Sequence, residues 1–220
     1  MTTMTARDEG LVHVPIGPVS LDGNLLIPHA ATGLVLFAHG SGSSRFSTRN
    51  RRVAEFLREG SLGTLLIDLL TAEEERVDER SGHLRFDIDM LAGRLAGAVE
   101  WLSQNAEMKS LPVGLFGAST GGGAALVAAA RRPDRVAAIV SRGGRPDLAG
   151  DALPLVKAPA LLIVGGNDEP VISMNRRAFE RMSAVKRLKI VPGATHLFEE
   201  RGTLERVAEL ARDWFQTYLR

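Results

Sequence analysis

The sequence predicts a three-layer α/β fold: a mostly parallel sheet preceded by an N-terminal antiparallel hairpin, with helices on both faces and no large lid domain. Three observations carry this. Short, continuously apolar runs such as Leu34–Ala38 and Ala160–Val164 have the pattern of strands covered on both faces. Segments with a 3.6-residue apolar period follow them, as in Ile88, Leu91, Leu95, Ala98 and Leu102. Strand and helix then alternate to the C-terminal end, and right-handed crossovers turn such an alternation into a parallel sheet.

Composition narrows the function classes. At 220 residues the chain fits one domain, 1–220, with a single core. Its 27 lysines and arginines nearly balance 26 aspartates and glutamates, and 5% of residues are aromatic, which argues against a nucleic-acid or anionic-membrane surface. With no cysteine, disulfides, thiolate metal sites and a cysteine nucleophile are excluded. No apolar run approaches the ~18–20 residues of a membrane span. The first ten residues lack the apolar centre of an export signal and are expected to be flexible, so a cytoplasmic protein is the expectation. Oligomeric state is not legible.

Taken in order, Leu11–Ile16 and Val19–Pro28 read as an edge hairpin, with Asp22-Gly23-Asn24 forming a second turn or bulge. Leu34–Ala38 is the first buried strand, ending in the loop His39-Gly40-Ser41-Gly42-Ser43-Ser44, and a helix follows at Thr48–Arg58. Gly63–Leu70 is the next strand, and Thr71–Arg85 reads as a polar connection whose Glu73-Glu74-Glu75-Arg76 run is a solvated face. Asp87 caps the helix that begins at Ile88. The strand within 112–118 leads into an alanine-rich helix that stops near Pro133, and Val136–Val140, Pro159–Gly165 and Arg187–Val191 are the remaining strands. Pro170 marks the first turn of one more helix, and Thr203 opens the last.

The chain is organised around Gly117-Ala118-Ser119-Thr120-Gly121. A serine on a tight strand-to-helix turn is lifted above the sheet edge, and glycines two residues to either side let strand and helix cross. The same turn aims the Thr120 backbone N–H at a carbonyl under attack, where the positive helix end favours an oxyanion. A serine nucleophile needs a base and an acid, in the chain order serine, acid, histidine for this class of turn. Of five histidines only His196 follows Ser119. Among the acids between them, Asp168 and Glu169 directly follow a buried strand, and Asp168 is preferred because Glu169 precedes Pro170 as a helix-entry residue. His39 reads as a structural residue that orients a loop whose amides complete an oxyanion hole, with the Ser41 N–H as second donor and Gly42 as the alternative. His13, His29 and His83 read as structural.

These residues, taken together in the order His39-Gly40-Ser41-Gly42, Gly117–Gly121, Gly166-Asn167-Asp168 and Gly193-Ala194-Thr195-His196, resemble the α/β-hydrolase superfamily over nearly the whole chain. The compact size and the loop Ser141-Arg142-Gly143-Gly144-Arg145-Pro146 look like its dienelactone-hydrolase-related group. The resemblance implies hydrolysis of carboxylic esters or lactones through an acyl-enzyme, without metal or cofactor, on a small-molecule substrate. One departure is Ser119, where dienelactone hydrolases carry cysteine.

Three other readings bear on the same residues. Gly117-x-x-x-Gly121-x-Gly123 is similar to the glycine loop of short-chain dehydrogenases, but that loop belongs near the amino terminus with a downstream Tyr-x-x-x-Lys pair, and Tyr218 has two residues after it. A non-catalytic ligand-binding protein of this fold and an acyltransferase with the same trio stay open. Arg142 and Arg145, past a strand end, are candidates for a substrate carboxylate, with loop bracing as the alternative.

Overall fold

A computed structural model describes residues 9–220. The flexible opening segment expected for residues 1–10 lies largely outside them. The described residues form an eight-stranded sheet: β1 (Gly10–Ile16), β2 (Val19–Leu26), β3 (Gly33–Ala38), β4 (Leu62–Ile67), β5 (Val113–Ala118), β6 (Val136–Arg142), β7 (Ala160–Gly165) and β8 (Lys186–Val191). Their order is β1-β2-β4-β3-β5-β6-β7-β8. The hairpin β1–β2 joins the sheet antiparallel to β4, and all later neighbours are parallel. Strands β3, β4, β5 and β7 are buried along their whole length, which is why their sequences are continuously apolar. No helix among the described residues is long and apolar enough to cross a membrane.

Helices cover both faces. Residues of α3 (Ile88–Gln104), α4 (Thr120–Arg131) and α5 (Glu169–Arg181) bury Leu91, Leu95, Leu102, Leu126 and Ala178 against one face. On the other, α1 (Thr48–Glu59) and α6 (Thr203–Tyr218) contribute Val53, Leu57, Val207, Ala211 and Phe215. Asp87 caps α3 as expected, accepting from the Met90 N–H at 3.0 Å.

Two elements differ from expectation. Asp22-Gly23-Asn24 is neither turn nor bulge: these residues pair in unbroken register with His13, Val12 and Leu11. The glycine is there because a Cβ would come within 2.8 Å of the Leu65 side chain. The polar stretch after β4 is not an irregular connection but α2 (Ala72–Ser81), opened by a reciprocal capping box between Thr71 and Glu74. Its apolar period is missing because it rests on the protein through ions, with Asp78 as its buried residue. Glu74 pairs with Arg94 of α3, while Glu73, Glu75 and Arg76 are solvent-exposed, as read from the charge run.

What positions the upper rim of the sheet is the crossing of β5 and α4. A Cβ on Gly121 would lie 2.4 Å from the carbonyl oxygens of Ala38 and His39, and one on Gly117 would lie 2.5 Å from the Gly121 oxygen. Backbone meets backbone here, so no rotamer change can relieve a side chain.

The loop after β3 is held by His39. Its Nδ1 lies 2.9 Å from the Gly40 carbonyl, and its Nε2 accepts the Leu69 N–H at 3.0 Å, which fixes the neutral tautomer with the proton on Nδ1. Burial holds its pKa below the ordinary histidine value, against the raising pull of the Gly40 carbonyl and of Asp68 and Glu75.

Two measurements check this account. Gly121→Ala is expected to cost about 2–3 kcal/mol and lower Tm by roughly 5–10 °C, against a near-neutral Gly10→Ala at a position with open space. Because folded His39 stays neutral below the unfolded pKa of about 6.5, the unfolded chain takes up the proton first, and stability falls as pH drops through that value. Thermal melts at about pH 7.5 and about pH 5.5 should therefore show a smaller acid loss in His39→Gln than in the parent chain.

Candidate active site

Ser119 stands between β5 and α4 with φ 52° and ψ −121°, in a region that non-glycine residues rarely adopt. Three backbone hydrogen bonds hold it there. Its N–H donates to the Arg142 carbonyl at 3.2 Å, and its own carbonyl accepts from Gly122 and Arg145, both at 3.0 Å. The loop 142–145 thus clasps the peptide units on either side of Ser119. Asn175, fully buried, holds that loop in turn by donating to the Gly144 carbonyl at 3.0 Å.

The acid and the base arrive on two loops stitched to each other. Beyond β7, the Gly166 N–H donates to the Val191 carbonyl at 2.8 Å and the Asn167 N–H to the Ala194 carbonyl at 2.9 Å. The Asn167 side chain adds a bond to the Gly193 carbonyl. Asp168 is the N-cap of α5, yet its carboxylate caps no helical N–H. Its Oδ2 lies 2.6 Å from His196 Nδ1 instead, and His196 Nε2 lies 3.3 Å from Ser119 Oγ. The structure therefore brings together Ser119, Asp168 and His196, three residues up to 77 positions apart. Glu169 is exposed at the start of α5, the helix-entry place expected of it. With Nδ1–H donating to the carboxylate, Nε2 presents a lone pair to the serine hydroxyl, which is the arrangement that removes its proton.

Gly143 leaves room for the backbone of the histidine loop. It has φ 51°, and a Cβ there would lie 3.1 Å from the His196 carbonyl oxygen. The histidine loop is braced from below by Glu200, which accepts from the Thr195 N–H at 3.1 Å and the Thr195 hydroxyl at 2.6 Å. Glu200 was not legible as a site residue, because its partner is set by the fold of the loop.

The loop His39–Ser43 faces Ser119 from the other side: a Cβ on Gly40 would lie 3.1 Å from Ser119 Cβ. Beside it opens a small cleft whose lining includes Ser41, Gly42, Leu69, Thr120, Glu75 and Arg85. The Ser41 N–H does not point free into this space. It donates to Thr120 Oγ1 at 2.8 Å, a side-chain contact that sequence gave no means of anticipating.

The two arginines divide, and neither stands open as a carboxylate receptor. Arg145 is bound by Asp147 through Nε and Nη2, at 2.9 and 2.7 Å, which is the bracing role. Arg142 is buried at 7% exposure, with Nη2 3.3 Å from Asn50 Oδ1 and its pKa lowered to about 10 by burial and by nearby Arg49. Of the two readings open for these arginines, bracing fits Arg145, while Arg142 is buried with Nε and Nη1 lacking partners among the described residues.

Comparison with known proteins now places the chain. A crystal structure of a dienelactone hydrolase from Anabaena variabilis is 64% identical, with a TM-score of 0.96 over 97% of this chain and 99% of that one. Est1E from Butyrivibrio proteoclasticus, 16% identical, shares the fold with a TM-score of 0.79 over 94% of this chain and 98% of its own. Two proteins from strains of Mycobacterium tuberculosis, each named "putative phosphoribosyl transferase", are 57% identical over 97% of this chain. The chain spans about half the length of those curated relatives, 47%. Residues 63–219 match the profile described as the dienelactone hydrolase family. The sheet order, the hairpin and the helices on both faces are those of the α/β-hydrolase fold. With its profile covering most of the chain and a 64%-identical structure matching from end to end, this protein belongs to the dienelactone hydrolase family.

Proposed function

We propose that the chain is a serine hydrolase that cleaves carboxylic esters or lactones of small substrates through an acyl-enzyme. The observation that carries this reading is the hydrogen-bonded series from Asp168 Oδ2 to His196 Nδ1 and from His196 Nε2 to Ser119 Oγ. Without such a base a serine hydroxyl is a weak nucleophile near neutral pH.

In this reading His196 Nε2 takes the hydroxyl proton as Ser119 Oγ bonds to the acyl carbon, and the carbonyl electron pair moves onto oxygen. The Thr120 backbone N–H, at the start of α4, faces that charge. Asp168 stabilises the imidazolium, which then protonates the departing alcohol as the carbon–oxygen bond breaks. Water repeats the sequence on the acyl-enzyme with His196 again as base, releasing the acid and restoring the serine.

Substrate size follows from what covers the site. Between β6 and β7 the chain makes short 3₁₀ turns over Pro146–Leu155, kinked at Gly150, and not a lid. Without a lid there, the reading favours small esters or esters exposed on a larger molecule. The mycobacterial relatives that carry the name putative phosphoribosyl transferase are about twice as long as this chain, which spans 47% of their length.

Treatment with a fluorophosphonate should give one adduct, on the peptide that contains Ser119. Ser119→Ala and His196→Ala are expected to lower kcat on a small ester by about 10⁶-fold, and Asp168→Asn by about 10⁴-fold. Labelling elsewhere, or full turnover by Ser119→Ala, would remove the proposal.

A further inference from the structure

The Thr120 hydroxyl is half used. It is 3% exposed and accepts the Ser41 N–H at 2.8 Å, but its own proton meets no acceptor among the described residues. Buried donors are rarely left unpaired, and each one that is asks for an explanation. A threonine inside a helix commonly returns its hydroxyl to the carbonyl four residues back. Thr120 is the first residue of α4, so no helical carbonyl precedes it. What lies next to it is a cleft that it lines with Ser41, Gly42, Glu75 and Arg85, and Thr120 itself directly follows Ser119 in the chain.

We propose that the Thr120 side chain is a catalytic residue of the oxyanion hole. Its hydroxyl, polarised by the Ser41 N–H, donates its hydrogen bond to the carbonyl oxygen of the acyl group as that oxygen gains charge. This rests on the reading of Ser119 as nucleophile. One residue then offers two donors to one oxygen, the Thr120 N–H and the Thr120 O–H, and the Ser41 amide acts through the hydroxyl and not directly. No proton is transferred. The carbonyl π pair moves onto oxygen as the Ser119 Oγ–C bond forms, is held by the two hydrogen bonds, and returns when the leaving group departs.

Chemistry and geometry favour the relay over a direct Ser41 contact. For the Ser41 N–H to reach substrate itself, the hydroxyl would have to rotate away and give up the bond that ties the loop to α4. In the relay nothing moves, so the donor is in place before charge develops, which is what makes such stabilisation effective. A hydroxyl that already accepts a hydrogen bond is also a stronger donor.

The alternative makes the opposite forecast. If the hydroxyl merely masks the Ser41 amide, removing it frees a better donor and turnover holds or rises. Thr120→Val keeps the shape and deletes the hydroxyl. We expect its kcat on a small ester to fall by about 10²-fold with KM changed by less than about 3-fold, and Thr120→Ser to stay within about 3-fold of the parent. Should valine fail to fold, Thr120→Ser against Thr120→Ala repeats the comparison, the two differing by one hydroxyl. A trifluoromethyl ketone, which becomes an oxyanion when bound, should lose affinity about as much as kcat falls in Thr120→Val, while the product carboxylic acid binds as before. A structural disturbance would weaken both ligands equally, and that result, or kcat equal to or above the parent, overturns the proposal. Fluorophosphonate stoichiometry separates the two readings. A parent chain unlabelled at Ser119 defeats the nucleophile assignment, whereas labelled Ser119 with an undiminished Thr120→Val defeats the hydroxyl's role alone.

Discussion

Everything at the upper rim depends on one close crossing, where α4 leaves β5 with Gly121 pressed against the carbonyls of Ala38 and His39. That contact forces the turn to be tight, and the tight turn forces Ser119 into φ 52°. Such a conformation costs about 1–3 kcal/mol in a non-glycine residue, and it persists because its surroundings determine it from every side. Here the surroundings are the Arg142 carbonyl, the Gly122 and Arg145 amides, and the β3 loop lying against the side chain. The strain is therefore a product of packing, and its use is to hold a hydroxyl clear of the sheet.

The histidine and the acid depend on the same economy of loops. Neither His196 nor Asp168 belongs to a helix interior or a strand; both sit on short connections whose backbone groups bond each other beyond β7 and β8. A loop bonded to another loop loses most of the freedom that loops have, which lets a catalytic side chain be placed to a few tenths of an ångström. Gly143 and Glu200 complete the support, one by leaving room for the His196 carbonyl and the other by tying down Thr195. The side-chain exposure of His196 is 37% against 13% for Asp168, so the imidazole is open to the surface while the carboxylate is largely screened from water.

How legible the molecule was varied with the physics of each part. Strands buried on both faces announce themselves, since every residue of Leu34–Ala38 or Ala160–Val164 must be apolar. Helix α2 did not, because it docks on α3 through Glu74 and buries Asp78 against the turn at Leu84 and Arg85, and so has no apolar period; the Thr71–Glu74 capping box was the local signal that could have found it. Asp22-Gly23-Asn24 has the composition of a turn, but cross-strand pairing with β1 and β4 outweighs local preference, and the glycine answers to the Leu65 side chain. The division of the arginines was hidden in the same way. Arg142 ends β6 and turns into the body, while Arg145, three positions on in the loop before the 3₁₀ turns, meets Asp147.

By itself the sequence determined the alternation of strands and helices, the tight turn at Ser119, and the order of serine, acid and histidine along the chain. Those follow from local sterics, from periodicity, and from the rule that reactive groups gather at the carboxyl ends of parallel strands. Only the tertiary structure decided which groups touch: that the Ser41 amide is taken by the Thr120 hydroxyl, and that Arg142 turns inward. Such pairings join residues as much as 92 positions apart through rotamers chosen by the packed surroundings, and no local pattern in the chain encodes them.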